Sequence, residues 1–400
     1  MKSIANSAPC AVTHIPNSAA SYDTNLVLGK IASIKNHSPQ RTPNNIGSNI
    51  SVLPNKGRAK GAPSFHIMTK TPVDDVDGSL WGKYTEKRIP GKSFQLAIAY
   101  SNKFNIGKKE PITYFDSITV IGDSLSDSEG RMYKKSGGLL TNANQYHDGR
   151  FTNGFTWPEF LTIPNMMLSH SSKGKVTLTN KSEGGSTCAP YFKSTLHPQF
   201  AILSNIEKQT RHLKFDDKSL SIIFLGANDY MTYSKENVDV VISSQEKTIK
   251  KMIKNGAKNI LVMGIPDLSQ TPAIKTSSPK KQRKIQNLSI EHNNKLQTLV
   301  NLLKLNKNIN ININYFNVNN VMKNITNVVG DINKNSPGAY NIEKAFTNGY
   351  IRRDNTAPLE IDPHYVFIDD VHPTQEVHNI IAMELHDFIL KKYNPLNNKK

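Results

Sequence analysis

From about residue 111 onward, short apolar runs alternate with longer amphipathic stretches, and no other feature constrains the fold as tightly. A run of a few apolar, β-branched residues suits a strand buried on both faces, and parallel strands of that kind need helical crossovers between them. The strand candidates are Ile118-Thr119-Val120-Ile121, Val176-Thr177-Leu178, Leu220-Ser221-Ile222-Ile223-Phe224-Leu225 and Ile260-Leu261-Val262-Met263, with a weaker one at Ile311-Asn312-Ile313-Asn314-Tyr315-Phe316. Between the third and fourth, Val238, Val241, Ile242, Ile249, Met252 and Ile253 form a helical stripe, and Gly256 follows where a C-cap belongs. A last helix follows Pro373, with Val377, Ile380, Ile381, Leu385, Phe388 and Ile389 on one side. The pattern predicts one α/β domain with a mainly parallel sheet over residues 111–395.

The residues before it read differently. Residues 1–72 are rich in Ser, Asn and Pro, and Asp23 is their single acidic residue. No period of 2 or 3.6 holds there for long, which predicts a largely disordered extension through residue 110. Residues 73–110 have some structure-forming content, including Phe94-Gln95-Leu96-Ala97-Ile98-Ala99-Tyr100, without an assignable role. A hydrophobic fraction of 37% over 400 residues agrees with part of the chain not packing. No apolar run approaches the roughly 18 residues of a membrane span. The longest early apolar cluster is Leu26-Val27-Leu28, too short for the core of a Sec signal peptide. An acid-poor, Ser/Asn-rich start suits export of a bacterial effector by another route.

Charge narrows the partners less than it first suggests. Lys and Arg number 50 against 32 Asp and Glu, a formal net charge of +18 that draws a chain toward phosphates on nucleic acid or on an anionic membrane. Crowding with Lys and Asn gives the same balance through composition alone. There is no nucleic-acid motif and no basic patch interleaved with aromatics, so no nucleic-acid partner is expected. Two cysteines, Cys10 and Cys188, can form neither a disulfide framework nor a zinc spacing, and Cys188 reads as packing. No metal or cofactor is called for.

Four short blocks at the ends of the expected elements carry chemistry. In Ile121-Gly122-Asp123-Ser124-Leu125-Ser126-Asp127-Ser128, a serine directly follows a strand and is expected to open a helix, where backbone N–H groups favour developing negative charge. In Glu183-Gly184-Gly185-Ser186-Thr187, a glycine lets backbone approach a ligand and offer its N–H. In Leu225-Gly226-Ala227-Asn228-Asp229-Tyr230, an amide side chain stands at the carboxyl edge of a strand, beside the crevice where open α/β sheets bind ligands. In Ile368-Asp369-Asp370-Val371-His372-Pro373, an aspartate precedes a histidine by three residues and can fix its tautomer. Each alone has an ordinary reading as a cap or turn. Together, in this order, they supply what acyl transfer requires.

The blocks resemble those of the SGNH, or GDSL, hydrolase superfamily. Gly149-Arg150-Phe151-Thr152-Asn153-Gly154-Phe155-Thr156-Trp157, Val262-Met263-Gly264-Ile265-Pro266-Asp267-Leu268-Ser269 and Val371-His372-Pro373-Thr374-Gln375-Glu376-Val377-His378 narrow the resemblance to its glycerophospholipid–cholesterol acyltransferase branch, over about residues 115–392. The resemblance implies a flavodoxin-like three-layer fold. By motif it makes Ser124 the nucleophile and His372 the general base, with Gly185, Asn228 and the Ser124 amide as the oxyanion hole. Asp369 is expected to orient His372, because its spacing needs no tertiary assumption; Asp229 is the alternative acid.

The expected function is a phospholipase A and glycerophospholipid:cholesterol acyltransferase acting on host membranes as a secreted bacterial effector. Glycerophospholipid and cholesterol as substrates, a peripheral place on host membranes and activation by a host Rho-type small GTPase are implied by the resemblance only. Two alternatives stay open: a carbohydrate O-acetyl esterase on the same residues, and a basic membrane-binding module without catalysis.

Overall fold

The computed structural model describes residues 95–107, 112, 114–138, 140–141, 146–162, 176–191, 203–346 and 364–394. Within them, five parallel strands form one sheet: β1 (Ser117–Gly122), β2 (Thr177–Asn180), β3 (Ser219–Phe224), β4 (Asn259–Met263) and β5 (Asn312–Phe316). Their order is β2-β1-β3-β4-β5. Ser117 of β1 pairs with Thr177 on one side and Ser219 on the other. The chain steps outward from β1 to β2, then crosses back to build β3, β4 and β5 in succession. The order therefore reverses between β1 and β3, and a doubly wound sheet opens a crevice at the carboxyl ends of the strands at that point. This is the flavodoxin-like strand order that the resemblance implies.

Helices cover both faces because the strands are apolar on both. On β3, Leu220, Ile222 and Phe224 belong to one core and Ile223 to the other, continued by Leu225 just past the strand. The first core is closed by α1 (Gln95–Phe104), α3 (Trp157–Thr162), α9 (Val318–Asn335) and α10 (Gln375–Tyr393). The second is closed by α4 (Ile206–Thr210), α6 (Val238–Lys254) and α8 (Pro279–Leu305). Short helices α2 (Arg131–Lys135), α5 (Ala227–Met231) and α7 (Pro272–Lys275) lie in the connections, and β6 (Asn341–Ala345) pairs with β7 (Tyr365–Phe367) in a separate parallel ribbon. Burying each of Ile222, Ile223, Leu261 and Val262 contributes about 1.5–3 kcal/mol.

Local signals set several boundaries. Asn237 caps α6 by accepting from the amides of Asp239 and Val240. Gly256, at φ 99°, takes the left-handed turn that ends α6. Ser278 and Asn317 cap α8 and α9 in the same way, although the sequence pattern does not mark either helix.

Helix α1 lies on the extension side of the boundary expected at residue 110, yet it belongs to the packed unit. Leu96, Ala97 and Tyr100 are buried in the first core. The Ala97 amide donates to Glu376 Oε1 at 3.0 Å, the Leu96 amide to the Tyr340 hydroxyl at 3.0 Å, and the Tyr100 hydroxyl to Glu384 at 2.7 Å. The expected boundary falls too late because this ten-residue amphipathic face closes on α9 and α10, partners more than 200 residues away in sequence. Residues 1–94, with the disorder and export expectations and Cys10, lie outside the described residues. Among the described residues, no helix is long and apolar enough to cross a membrane.

Candidate active site

Ser124 stands just beyond the carboxyl end of β1, at the reversal of strand order, but it does not open a helix. The segment after Gly122 turns: Asp123 Oδ1 accepts the Leu125 amide at 3.0 Å and Asp123 O accepts the Ser126 amide at 3.1 Å. The next helix, α2, begins only at Arg131. The competing partner is Asp127, whose buried carboxylate accepts the amides of Arg131, Met132 and Gly184 and so ties this turn to the glycine block. Amides near Ser124 therefore come from a turn and not from the first turn of α2. Burial pushes the adjacent Asp123 carboxyl up to about 7, against the Leu125 amide, which lowers it.

His372 and Asp369 precede α10. His372 Nε2 lies 2.8 Å from Ser124 Oγ, and His372 Nδ1 lies 2.7 and 3.0 Å from the two oxygens of Asp369. A carboxylate only accepts, so the proton sits on Nδ1 and Nε2 is left to accept from the serine hydroxyl. Asp369 is wholly buried and also takes the His372 amide, the Val371 amide and the Tyr146 hydroxyl, the last at 2.6 Å. Burial alone would raise its carboxyl, yet the charge and hydrogen bond of His372, with Tyr146 and Val371, hold it below the ordinary carboxylate range.

Asp229, the alternative acid, is committed elsewhere. Its oxygens accept the amides of Cys188 and Ala189 at 2.9 and 3.1 Å and the Tyr191 hydroxyl at 2.8 Å. It fastens the loop after Gly185 to α5, and burial pushes its carboxyl up to about 6. Cys188 is buried, and burial raises its thiol well above the ordinary value.

Gly185 and Asn228 line the same groove as Ser124 and His372. Gly185 turns at φ 76°, a conformation that favours glycine. Asn228 Nδ2 donates to Ser186 O at 3.0 Å, and the second hydrogen of that amide remains for a ligand. Gly226, at φ 132°, lies so close to His292 of α8 that a Cβ there would sit 2.6 Å from the ring. His292 Nδ1 is 2.8 Å from the Tyr230 hydroxyl, so α8 braces both ends of the turn that carries Asn228.

Two residues beside the histidine were not singled out by motif. The Phe151 ring packs on His372, and a Cβ on Gly184 would lie 2.4 Å from the same ring. Tyr146 reaches Asp369 across 223 positions of sequence. The resemblance block at 149–157 held the clue to Phe151; no local signal marks Tyr146. That block also grips the turns around it: Trp157 Nε1 donates to Ser126 Oγ, Thr152 Oγ1 to Pro373 O, and Asn153 Oδ1 accepts the Gln375 amide.

The groove encloses about 1250 Å³ and runs outward from Ser124 over Leu125, Met132, Leu203, Met231, Ile274 and Met322. Among the described residues, no group of three or more His, Cys, Asp or Glu is placed to hold a metal ion.

The family described as GDSL-like Lipase/Acylhydrolase matches residues 118–385. The secreted effector protein SseJ of Salmonella typhimurium is 42% identical over 280 residues, 69% of this chain and 64% of that protein. The phosphatidylcholine-sterol acyltransferase of Aeromonas hydrophila is 34% identical over 199 residues, 48% of this chain and 55% of that protein. The thermolabile hemolysin of Vibrio parahaemolyticus is 25% identical over 279 residues, 68% of this chain and 63% of that protein. The chain thus spans less than two thirds of the length of each of these relatives. Because the family match runs from the first residues of β1 into α10, and so takes in all four chemical blocks, the chain belongs to the GDSL-like lipase/acylhydrolase family.

Proposed function

We propose that the chain is a serine-dependent lipid acyl hydrolase and acyltransferase. The observation that carries this reading is the relay from Ser124 through His372 to Asp369, opening into a long and mainly apolar groove. Ser124 Oγ gives its proton to His372 Nε2 and attacks the ester carbonyl of a glycerophospholipid. The amides of Ser124 and Gly185 and the side chain of Asn228 receive the oxyanion. His372 returns the proton to the leaving lysophospholipid oxygen, and an acyl-Ser124 ester remains. Water or a sterol hydroxyl then gives its proton to His372 and takes the acyl group, and Ser124 is restored. Asp369, ionised and fully enclosed, holds the imidazole in the tautomer both steps need.

The similarity to SseJ supports export as an effector, and the similarity to a phosphatidylcholine-sterol acyltransferase supports a sterol acceptor. Action at host membranes and activation by a Rho-type GTPase complete the proposal. A groove of about 1250 Å³ suits an acyl chain and leaves an acetyl group mostly uncontacted.

The test is mass spectrometry of products from phosphatidylcholine–cholesterol vesicles, with wild type, Ser124→Ala and an active Rho GTPase in parallel. Ser124-dependent lysophospholipid with cholesteryl ester is the expected result. Fatty acid without cholesteryl ester would reduce the proposal to a phospholipase. No lipid product in any arm would overturn it and turn attention to acetylated carbohydrates.

A further inference from the structure

The groove is not uniform along its length. At the reacting end it holds Ser124 and His372, flanked in sequence by Asp123 and Asp370, which also line it. The same groove is lined by five lysines: Lys275, Lys280, Lys281 and Lys284 from α7 and α8, and Lys323 from α9. These helices belong to opposite layers of the fold, so the lysines reach one groove from both sides of the sheet. Lys275 pairs with Glu343 and Lys284 with Glu236. Among the described residues, Lys280, Lys281 and Lys323 are exposed and in no ion pair. The groove's remaining carboxylate, Asp267, is occupied by Ser269 and Gln286.

Sequence context adds to the contrast. The first turn of α8 has no acidic residue and carries Lys280 and Lys281, with Arg283 and Lys284 close behind. Cations at that end oppose the helix dipole and one another, a local cost with no compensating carboxylate in the turn. An apolar floor with an uncompensated cationic rim is complementary to one kind of molecule: an amphiphile with an apolar tail and a negatively charged head.

Building on the acyl-hydrolase reading, we infer that Lys280, Lys281 and Lys323 form a head-group subsite that selects anionic phospholipids as the acyl donor. The occupant is the substrate lipid itself, its ester at Ser124 and its charged head among these lysines. General attraction of the protein to an anionic bilayer is a different effect, and the experiment separates the two.

Vesicles of non-hydrolysable, ether-linked phosphatidylglycerol receive equal small amounts of ester-linked phosphatidylglycerol and phosphatidylcholine, so both substrates share one surface charge and one bound enzyme population. Lysolipids are quantified by mass spectrometry. Wild type should consume phosphatidylglycerol about tenfold faster than phosphatidylcholine. The combined K280Q, K281Q and K323Q variant should bring that ratio close to one, through loss of turnover on phosphatidylglycerol. Equal consumption by wild type, or a preference that the combined variant keeps, would overturn the subsite and leave the acyl-hydrolase reading standing. If wild type consumed neither lipid, both would fall.

Discussion

The ring of Phe151 rests on the imidazole of His372, centroids 4.8 Å apart and planes inclined by 36°. Gly184 also lies against this ring, with no room for a Cβ. Phe151→Ala should therefore lower kcat well beyond any change in KM, because a freed imidazole loses its alignment with Ser124, and misplacement of about 1 Å can cost about 100-fold. Gly184→Ala should lower kcat in the same direction by displacing the ring that packs on His372. Steady-state kinetics on a soluble ester would show it; a pure KM effect would contradict this role for Phe151.

Tyr146→Phe deletes one hydroxyl donor to a buried carboxylate and should destabilise the fold by about 1–3 kcal/mol. Asp369 has a carboxyl held low in the folded state, so its stabilising contribution is present above the unfolded value and lost as pH falls through the folded one. Without Tyr146 that folded value rises. The acid limb of the kcat/KM profile and the onset of acid unfolding should both move to higher pH, and an unmoved acid limb would count against the Tyr146–Asp369 link.

Asp369→Asn and Asp229→Asn should part cleanly. The first leaves His372 able to hold the wrong tautomer, and kcat should fall by about 10⁴-fold. The second weakens the fastening of the 188–191 loop, so it should lower Tm and leave the pH profile of kcat in place. Comparable losses with altered pH profiles for both would reopen the choice of acid.

Asn228→Ala removes one oxyanion donor, and kcat should fall by about 100-fold or more with KM little changed. Full activity in this variant would exclude Asn228 from the oxyanion hole.

Burial pushes Glu376 up to about 8 from an ordinary value of 4.5. Its folded value is raised, so the folded state holds a proton that the unfolded chain releases, and stability falls as pH rises through that window. Glu376 receives the Ala97 amide, so loss should be felt first where α1 joins the core. Glu376→Gln should flatten Tm between pH 5 and about 8 and keep α1 amides protected from exchange at the upper end. Asp123, raised to about 7, contributes with the same sign and remains in the variant. An unchanged slope would rule out Glu376 as its source.

What could be read in advance follows physical locality. Strands β1, β3 and β4 are mostly apolar, broken within only by Thr119 and Ser221, and a strand buried on both faces declares itself that way. Asp369 and His372 are three residues apart, so their pairing needs no knowledge of the fold. Helix α8 escapes notice because its core face includes Ser289 and His292, and α9, whose core face is apolar, because Asn interrupts it repeatedly. Ser124 reads as the opening of a helix, but the helix waits for Arg131, where Asp127 accepts amides four and five residues beyond itself. Tyr146 meets Asp369, and α1 meets Glu376, across more than 200 positions of sequence.

The separation of Ser124 from His372 also sets a schedule. Synthesis proceeds from the N-terminus, so the serine is made 248 residues before His372, the base proposed for it. Helix α10, which follows His372, also supplies Val377, Ile380, Ile381 and Leu385 to the first core. On the proposed mechanism the nascent chain holds an unarmed hydroxyl until the packing of α10 brings His372 to it.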